Sequence, residues 1–141
     1  MFRENLSFTI PLEPVALGRP RMTKSGIAYT PAKSKNAKSH IAYCVQQEWQ
    51  DKPLDRPLSI AVKLFFSIPK NLDTKKNAAV LDADLMPHTK KPDADNCLKT
   101  VCDALNGVLW RDDSVISAVH IEKRYSRRPR TELTVKFEEE F

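Results

Sequence analysis

With 141 residues, 41% of them hydrophobic and 29% charged, the chain fits one soluble globular domain with room for a real core. Its longest apolar run, 62–68, is far too short for a membrane span and is interrupted by Lys63; the opening MFRENLSFTI lacks the apolar stretch of a secretory signal, so the expectation is a cytoplasmic protein with no membrane partner. Three cysteines, Cys44, Cys97 and Cys102, exclude a disulfide framework, and the spacing of the last two matches neither a zinc pair nor a redox pair.

The formal charge of +5 is unevenly spread. From 14 to 47 there is no acid, while Arg19, Arg21, Lys24, Lys33, Lys35 and Lys38 follow one another. Lys123, Arg124, Arg127, Arg128 and Arg130 form a second basic group, and the last residues are acidic. Such a surface suits a polyanion, although basic stretches are often no more than solvated faces.

In chain order, Leu6, Phe8, Ile10 and Leu12 alternate with Ser7, Thr9 and Pro11, which predicts a half-buried strand at a sheet edge or ending at the proline. VALGRPRMTKSGIAYTP reads as a loop or hairpin turning at Ser25-Gly26. Ser34 is the expected N-cap of a helix over 34–49, with Lys33, Lys35 and Lys38 around its first turn. Cations there oppose the helix dipole unless an anion joins them, which favours phosphate contact.

Leu58, Ile60, Val62, Leu64, Phe66 and Ile68 alternate without a break and predict a central strand. The connector 69–92 loses the pattern apart from a possible short helix over 74–81; connectors of this length are usually functional or mobile. A helix over 94–106 buries Leu98, Val101, Cys102 and Leu105, turns Asn96, Lys99, Asp103 and Asn106 outward, and stops at Gly107. Strands over 115–125 and around Leu133, Val135 and Phe137 close the chain as an antiparallel hairpin. The expected class is α+β: a mixed sheet of about four strands with two main helices packed on one face, in one domain.

The stretch 90–114, KKPDADNCLKTVCDALNGVLWRDDS, concentrates five aspartates that a bound cation would relieve. Asp93 and Asp95 stand where an extended approach enters a helix, and either can be an N-cap or a ligand. Asp112 and Asp113 stand beyond that helix, as turn residues or as carboxylates brought back toward the first pair. All-oxygen donors from separate elements suit Mg²⁺ or Mn²⁺ rather than zinc. Asp103 is placed as a surface partner of Lys99 at i,i+4. Asn96 either bonds the helix start or orients an aspartate, and His88 is a loop residue first and an auxiliary ligand or base second.

The order D-x-D-N-x-x-K (Asp93, Asp95, Asn96, Lys99), then Asp103-Ala104-Leu105, then Asp112-Asp113 before a strand ending HIEKRY resembles the RusA family of Holliday junction resolvases. GRPR at 18–21, AYTP at 28–31 and the IPK at 68–70 resemble it too, so the similarity spans most of the chain. The connector is longer than in compact members. The resemblance implies a homodimer, often encoded by phages or prophages, that binds four-way DNA junctions and makes paired cuts in opposing strands. It implies Mg²⁺ on Asp93, Asp95 and Asp113, with Lys99 needed for cleavage and Asn96 and Asp112 in support. Arg19, Arg21, Lys24, Lys33, Lys35, Arg127, Arg128 and Arg130 are the expected backbone contacts, conferring salt-sensitive affinity. A broader flap or fork nuclease and a non-catalytic DNA-binding module are the competing readings.

Overall fold

The computed structural model describes residues 4–18, 21–29 and 31–137, with the side chains of Glu4 and Arg21 left aside. Its elements are β1 (Glu4–Ile10), β2 (Arg21–Met22), β3 (Ala28–Tyr29), α1 (Ala32–Gln46), β4 (Leu58–Phe66), α2 (Ala78–Asp82), α3 (Ala94–Leu105), β5 (Ile116–Tyr125) and β6 (Arg130–Phe137). Four strands form a mixed sheet in the order β1-β6-β4-β5, and β2 and β3 make a separate two-stranded hairpin. β6 runs antiparallel to both β1 and β4, whereas β4 and β5 are parallel, which the helical crossover through α3 permits. The expected α+β architecture, with an edge first strand and a central strand over 58–66, is what the chain forms.

The core lies between the sheet and the helices α1 and α3. Ile60, Val62 and Leu64 of β4, Leu133 and Val135 of β6, and Phe8 and Ile10 of β1 meet Ile41 and Val45 of α1 and Cys97, Val101 and Leu105 of α3. Both helices therefore lie on one side. Residues alternating with these, such as Ser59, Ala61 and Lys63 of β4, face away from the helices, as the period of two requires.

Three local expectations need correction. α1 begins at Ala32 behind Pro31 and ends at Gln46, and Ser34 is not its cap. Ser34 is buried within the first turn, where its hydroxyl accepts from the Gly18 amide at 2.6 Å and donates to the Ala16 carbonyl at 3.4 Å. A hydroxyl committed to another segment cannot cap its own helix. Second, β5 starts at Ile116 after a 3₁₀ turn over Asp113–Val115. Ile116 pairs with Leu58 and Ala118 with Ser59, so Ser117 is an extra residue in the ladder, and its hydroxyl donates to the Leu58 carbonyl at 3.1 Å. Beyond that bulge Val119, Ile121, Lys123 and Tyr125 lie on the helix side, opposite Ile60, Val62, Leu64 and Phe66.

Third, β5 and β6 do not pair as the expected closing hairpin, because β4 lies between them. The connector, by contrast, carries the short helix expected over 74–81. It holds a 3₁₀ turn, Lys75–Asn77, continuing into α2, with Leu81 fully buried. It then runs along the open edge of β5: the Tyr125 amide donates to the Met86 carbonyl and the His88 amide to the Lys123 carbonyl, both at 3.0 Å. The end of β5 is thus covered, while the exposed stretch from Ser117 to His120 forms its uncovered half.

Candidate active site

α3 presents the acidic cluster because of how its first turn is built. Asp93 is the N-cap residue, extended at φ −70° and ψ 148°, with its carbonyl accepting from the Cys97 amide at 3.2 Å. Its side chain makes no cap hydrogen bond. Asp95 lies in the first turn and Lys99 one turn further on; all three side chains are exposed. Among the described residues, no ion pair engages Asp93, Asp95 or Lys99. Helix propensity and the dipole tolerate two carboxylates there, but their oxygens are left for another partner.

Asn96, expected in support, uses its backbone: its carbonyl accepts from the Leu17 amide at 3.1 Å and from the Thr100 hydroxyl at 3.3 Å. The loop 13–18 is thereby fastened across the helix start. Ala16, Lys91, Pro92, Asp93 and Asn96 line a depression of about 430 Å³ there. It adjoins a longer groove of about 1010 Å³ that passes Lys90, Lys33 and Ser34 and is floored by Phe66, His88 and Tyr125. Among the described residues lining that groove Glu13 is the only acid, and it is occupied by the amide and hydroxyl of Ser67.

The second aspartate pair divides. Asp112 caps the 3₁₀ turn by accepting from the Ser114 amide at 3.0 Å, and the Ser114 hydroxyl and amide hold its carboxyl below the ordinary range. Asp113 is exposed and is not gathered with Asp93 and Asp95: no three His, Cys, Asp or Glu side chains among the described residues group around a metal position. The two buried cysteines of α3 show the separation. Burial pushes the Cys97 thiol up to about 11, with Lys123 opposing and Asp93 and Asp95 adding. Burial likewise pushes Cys102 up to about 12, and there the contributing carboxylates are Asp113 and Asp103. The chemistry of the donors still suits a hard cation: Asp93 and Asp95 offer oxygens only, and Mg²⁺ takes one or two carboxylates with water completing its shell. Asp103 is exposed, and no ion pair to Lys99 forms among the described residues.

The basic residues also divide. Lys24 lies exposed in the turn of the β2–β3 hairpin, and Lys33 and Lys35 are exposed on the first turn of α1. Arg19 and the side chain of Arg21 lie outside the described residues. Arg127 is committed to Asp73 and Asp82, and Arg130 to Asp84 and Glu132 while stacking 3.9 Å above the Phe65 ring. Their charge fastens the connector to the β5–β6 turn and is largely spent within the chain. Arg128 is exposed, and no ion pair holds it among the described residues.

His88 is a buried residue of the connector. It stacks on Phe66 with ring centroids 4.0 Å apart, contacts Tyr125 at 4.7 Å, and leaves Nδ1 buried without a partner. Burial, then the charge of Lys123, lowers its pKa. Sequence reading missed the role of Lys123, which occupies a helix-facing register position opposite Leu64. The available signal was a lysine where the Val119, Ile121, Tyr125 parity calls for an apolar residue.

The family model described as "Endodeoxyribonuclease RusA" matches residues 11–136, and that span includes both ends of the site. The chain belongs to the RusA endodeoxyribonuclease family. It is also similar to "Uncharacterized protein YqaN" of Bacillus subtilis (strain 168), 36% identical over 135 residues that cover 93% of this chain and 95% of that protein. The RusA match agrees with the mixed sheet and with the D-x-D-N-x-x-K order at the start of α3. No helix among the described residues is long and apolar enough to cross a membrane.

Proposed function

We propose that this RusA-family chain is a Mg²⁺-dependent, structure-selective endodeoxyribonuclease acting on branched DNA, and that as a homodimer it resolves four-way junctions by paired nicks in opposing strands. One observation carries the reading: Asp93 and Asp95 stand exposed at the start of α3 without an ion pair among the described residues, with Lys99 one turn away. Asp93 and Asp95 would hold the metal, and Mn²⁺ is an acceptable substitute on the same donors. When bound there, the ion supplies Lewis-acid polarisation of the scissile phosphate and lowers the pKa of an attacking water.

The chain's own residues do the rest. Lys99 lies close enough along the helix to offset charge that builds on the phosphate in the transition state, where fixed charge is most effective. Lys33, Lys90 and Lys91 line the groove leading to the helix start, and with Lys35 on the first turn of α1 they guide the backbone without reading bases. Asp113 enters as the third aspartate of the family motif, and Asp112 supports the turn that carries it.

The test compares a four-way junction, a flap, a fork and a linear duplex at one salt concentration, with and without Mg²⁺. Symmetric paired nicking of the junction, dependent on the metal, supports the proposal. Equal cutting of flaps and forks replaces it with a broader branched-DNA nuclease. Salt-sensitive binding with no products on any substrate replaces it with a DNA-binding module.

A further inference from the structure

Lys123 is a cation on the wrong side of a sheet. Its register partner is Leu64, whose side chain is fully buried, and its neighbours at the same parity are Ile121 and Tyr125. The residue is half-buried overall, and its ammonium group reaches an acceptor at the exposed rim of the strand. Nζ donates to the Lys90 carbonyl at 2.7 Å and lies 5.9 Å from the centre of the Phe66 ring. Among the described residues, no carboxylate forms an ion pair with it.

We propose that Lys123 is a positioning residue for the acidic helix start, holding the Lys90 carbonyl and thereby the approach of residues 90–93 that delivers Asp93 into the first turn of α3. The geometry gives the contact leverage. Lys90 is three residues before Asp93, so the contact lies one short step of chain from the N-cap. The other anchors of this approach lie to either side: the His88 amide on the Lys123 carbonyl, and the Asp93 carbonyl on the Cys97 amide. Between these two backbone bonds, Lys123 Nζ is the tie to 89–92 recorded among the described residues. A charged donor to a carbonyl is stronger than a neutral one.

Its effect on cleavage rests on the nuclease reading, but its effect on the backbone does not. Lys123→Met keeps the aliphatic stem and removes the charge and donors, Lys123→Gln is a second neutral form, and Lys123→Arg restores a cationic donor. Hydrogen exchange is followed on the amides of 89–97, alongside junction Kd and cleavage kinetics in Mg²⁺. The neutral variants are expected to exchange several-fold faster over 89–93 and to lose tenfold or more in kcat, with KM and junction Kd within twofold of the parent; Lys123→Arg recovers both in part. Unchanged exchange over 89–93 overturns the proposal whatever happens to cleavage. Faster exchange with full kcat also overturns it, because the approach would then not govern the site. A loss expressed in Kd alone makes Lys123 a DNA contact instead. If the parent protein cuts no branched DNA, the nuclease reading falls and the exchange measurements alone decide whether Lys123 holds the segment.

Discussion

The amide of Gly18 donates to the hydroxyl of Ser34 at 2.6 Å, and a Cβ placed on Gly18 would stand 2.7 Å from that same oxygen and 2.9 Å from Pro31 Cγ. The loop 13–18 is thus locked to α1 at one residue and to α3 at the next, through Leu17 and Asn96. Ser34→Ala should cost about 1–2 kcal/mol by leaving the Gly18 amide short of an acceptor. Gly18→Ala should destabilise further, through the clash. The double variant should be less unstable than the sum of the two, since removing Oγ relieves part of that clash. Denaturant unfolding of the four proteins measures the coupling, and strict additivity would contradict it.

Asp95→Asn keeps the shape and helix position of the side chain and removes its charge. Cleavage of a four-way junction in Mg²⁺ should fall at least a hundredfold, while junction binding persists or tightens as repulsion of the phosphate is reduced. Gel-shift and cleavage assays on one preparation check both halves. Full activity would remove Asp95 from the chemistry.

Arg130 tests the internal role of the C-terminal basic turn. Its guanidinium is nearly covered, donates to Asp84 and Glu132 and lies over Phe65. Arg130→Met should lower stability by about 1–2 kcal/mol, or roughly 2–8 °C in Tm. Arg127→Ala, in an exposed pair network, should change Tm little. Asp84 also gives this anchor a pH dependence: burial alone would raise its pKa, but hydrogen bonds from Ser126 and Arg130 together with the Arg130 charge bring it below the ordinary value. That contribution is complete above the ordinary carboxylate range and lost as pH falls through the folded pKa. The Arg130→Met variant should therefore lose less Tm than the parent between pH 5 and 3.

His88 predicts a different window. Its folded pKa is lowered by burial and Lys123, so the unfolded chain takes up a proton that the folded one refuses. Stability is full above about pH 6.5 and declines as pH drops toward the folded pKa. His88→Phe keeps an aromatic ring between Phe66 and Tyr125 and removes the orphaned Nδ1. Its Tm should be flatter than the parent's between pH 7 and 5.5. Parallel melting curves for the two proteins would contradict the assignment.

The sheet was legible because period-two alternation in 58–68 and 131–137 encodes which side faces the helices. The end of α3 was legible because Gly107, at φ +77°, supplies the left-handed residue a helix stop needs. Ser34 misled because a serine at a helix start is usually a cap, and nothing local reveals that its hydroxyl serves a residue sixteen positions earlier. In the site, the placing of Asp93, Asp95 and Lys99 at the start of one helix was legible from spacing, whereas the roles given to them came from the resemblance to the RusA family. Arg127 and Arg130 were read as surface charge because their partners, Asp73, Asp82 and Asp84, come from a connector whose path has no periodic signal. Lys123 belongs to the same class, since its acceptor is a main-chain carbonyl thirty-three residues away.

The strand order β1-β6-β4-β5 has a bearing on how the protein comes into being. β4 lies between two strands that both occur after residue 115, and β1 pairs with β6 alone. During synthesis from the N-terminus, neither early strand has a neighbour to bond until the final quarter of the chain has emerged. A nascent chain stopped before Arg130 carries Phe8, Ile10, Ile60, Val62 and Leu64 with part of their cover missing. Long-range pairing of this kind folds slowly and leaves apolar strands open in the interval. The last strand therefore acts as the closing piece of the whole sheet, and a ribosome-stalled series lengthened through β6 should become protease-resistant in one step rather than gradually.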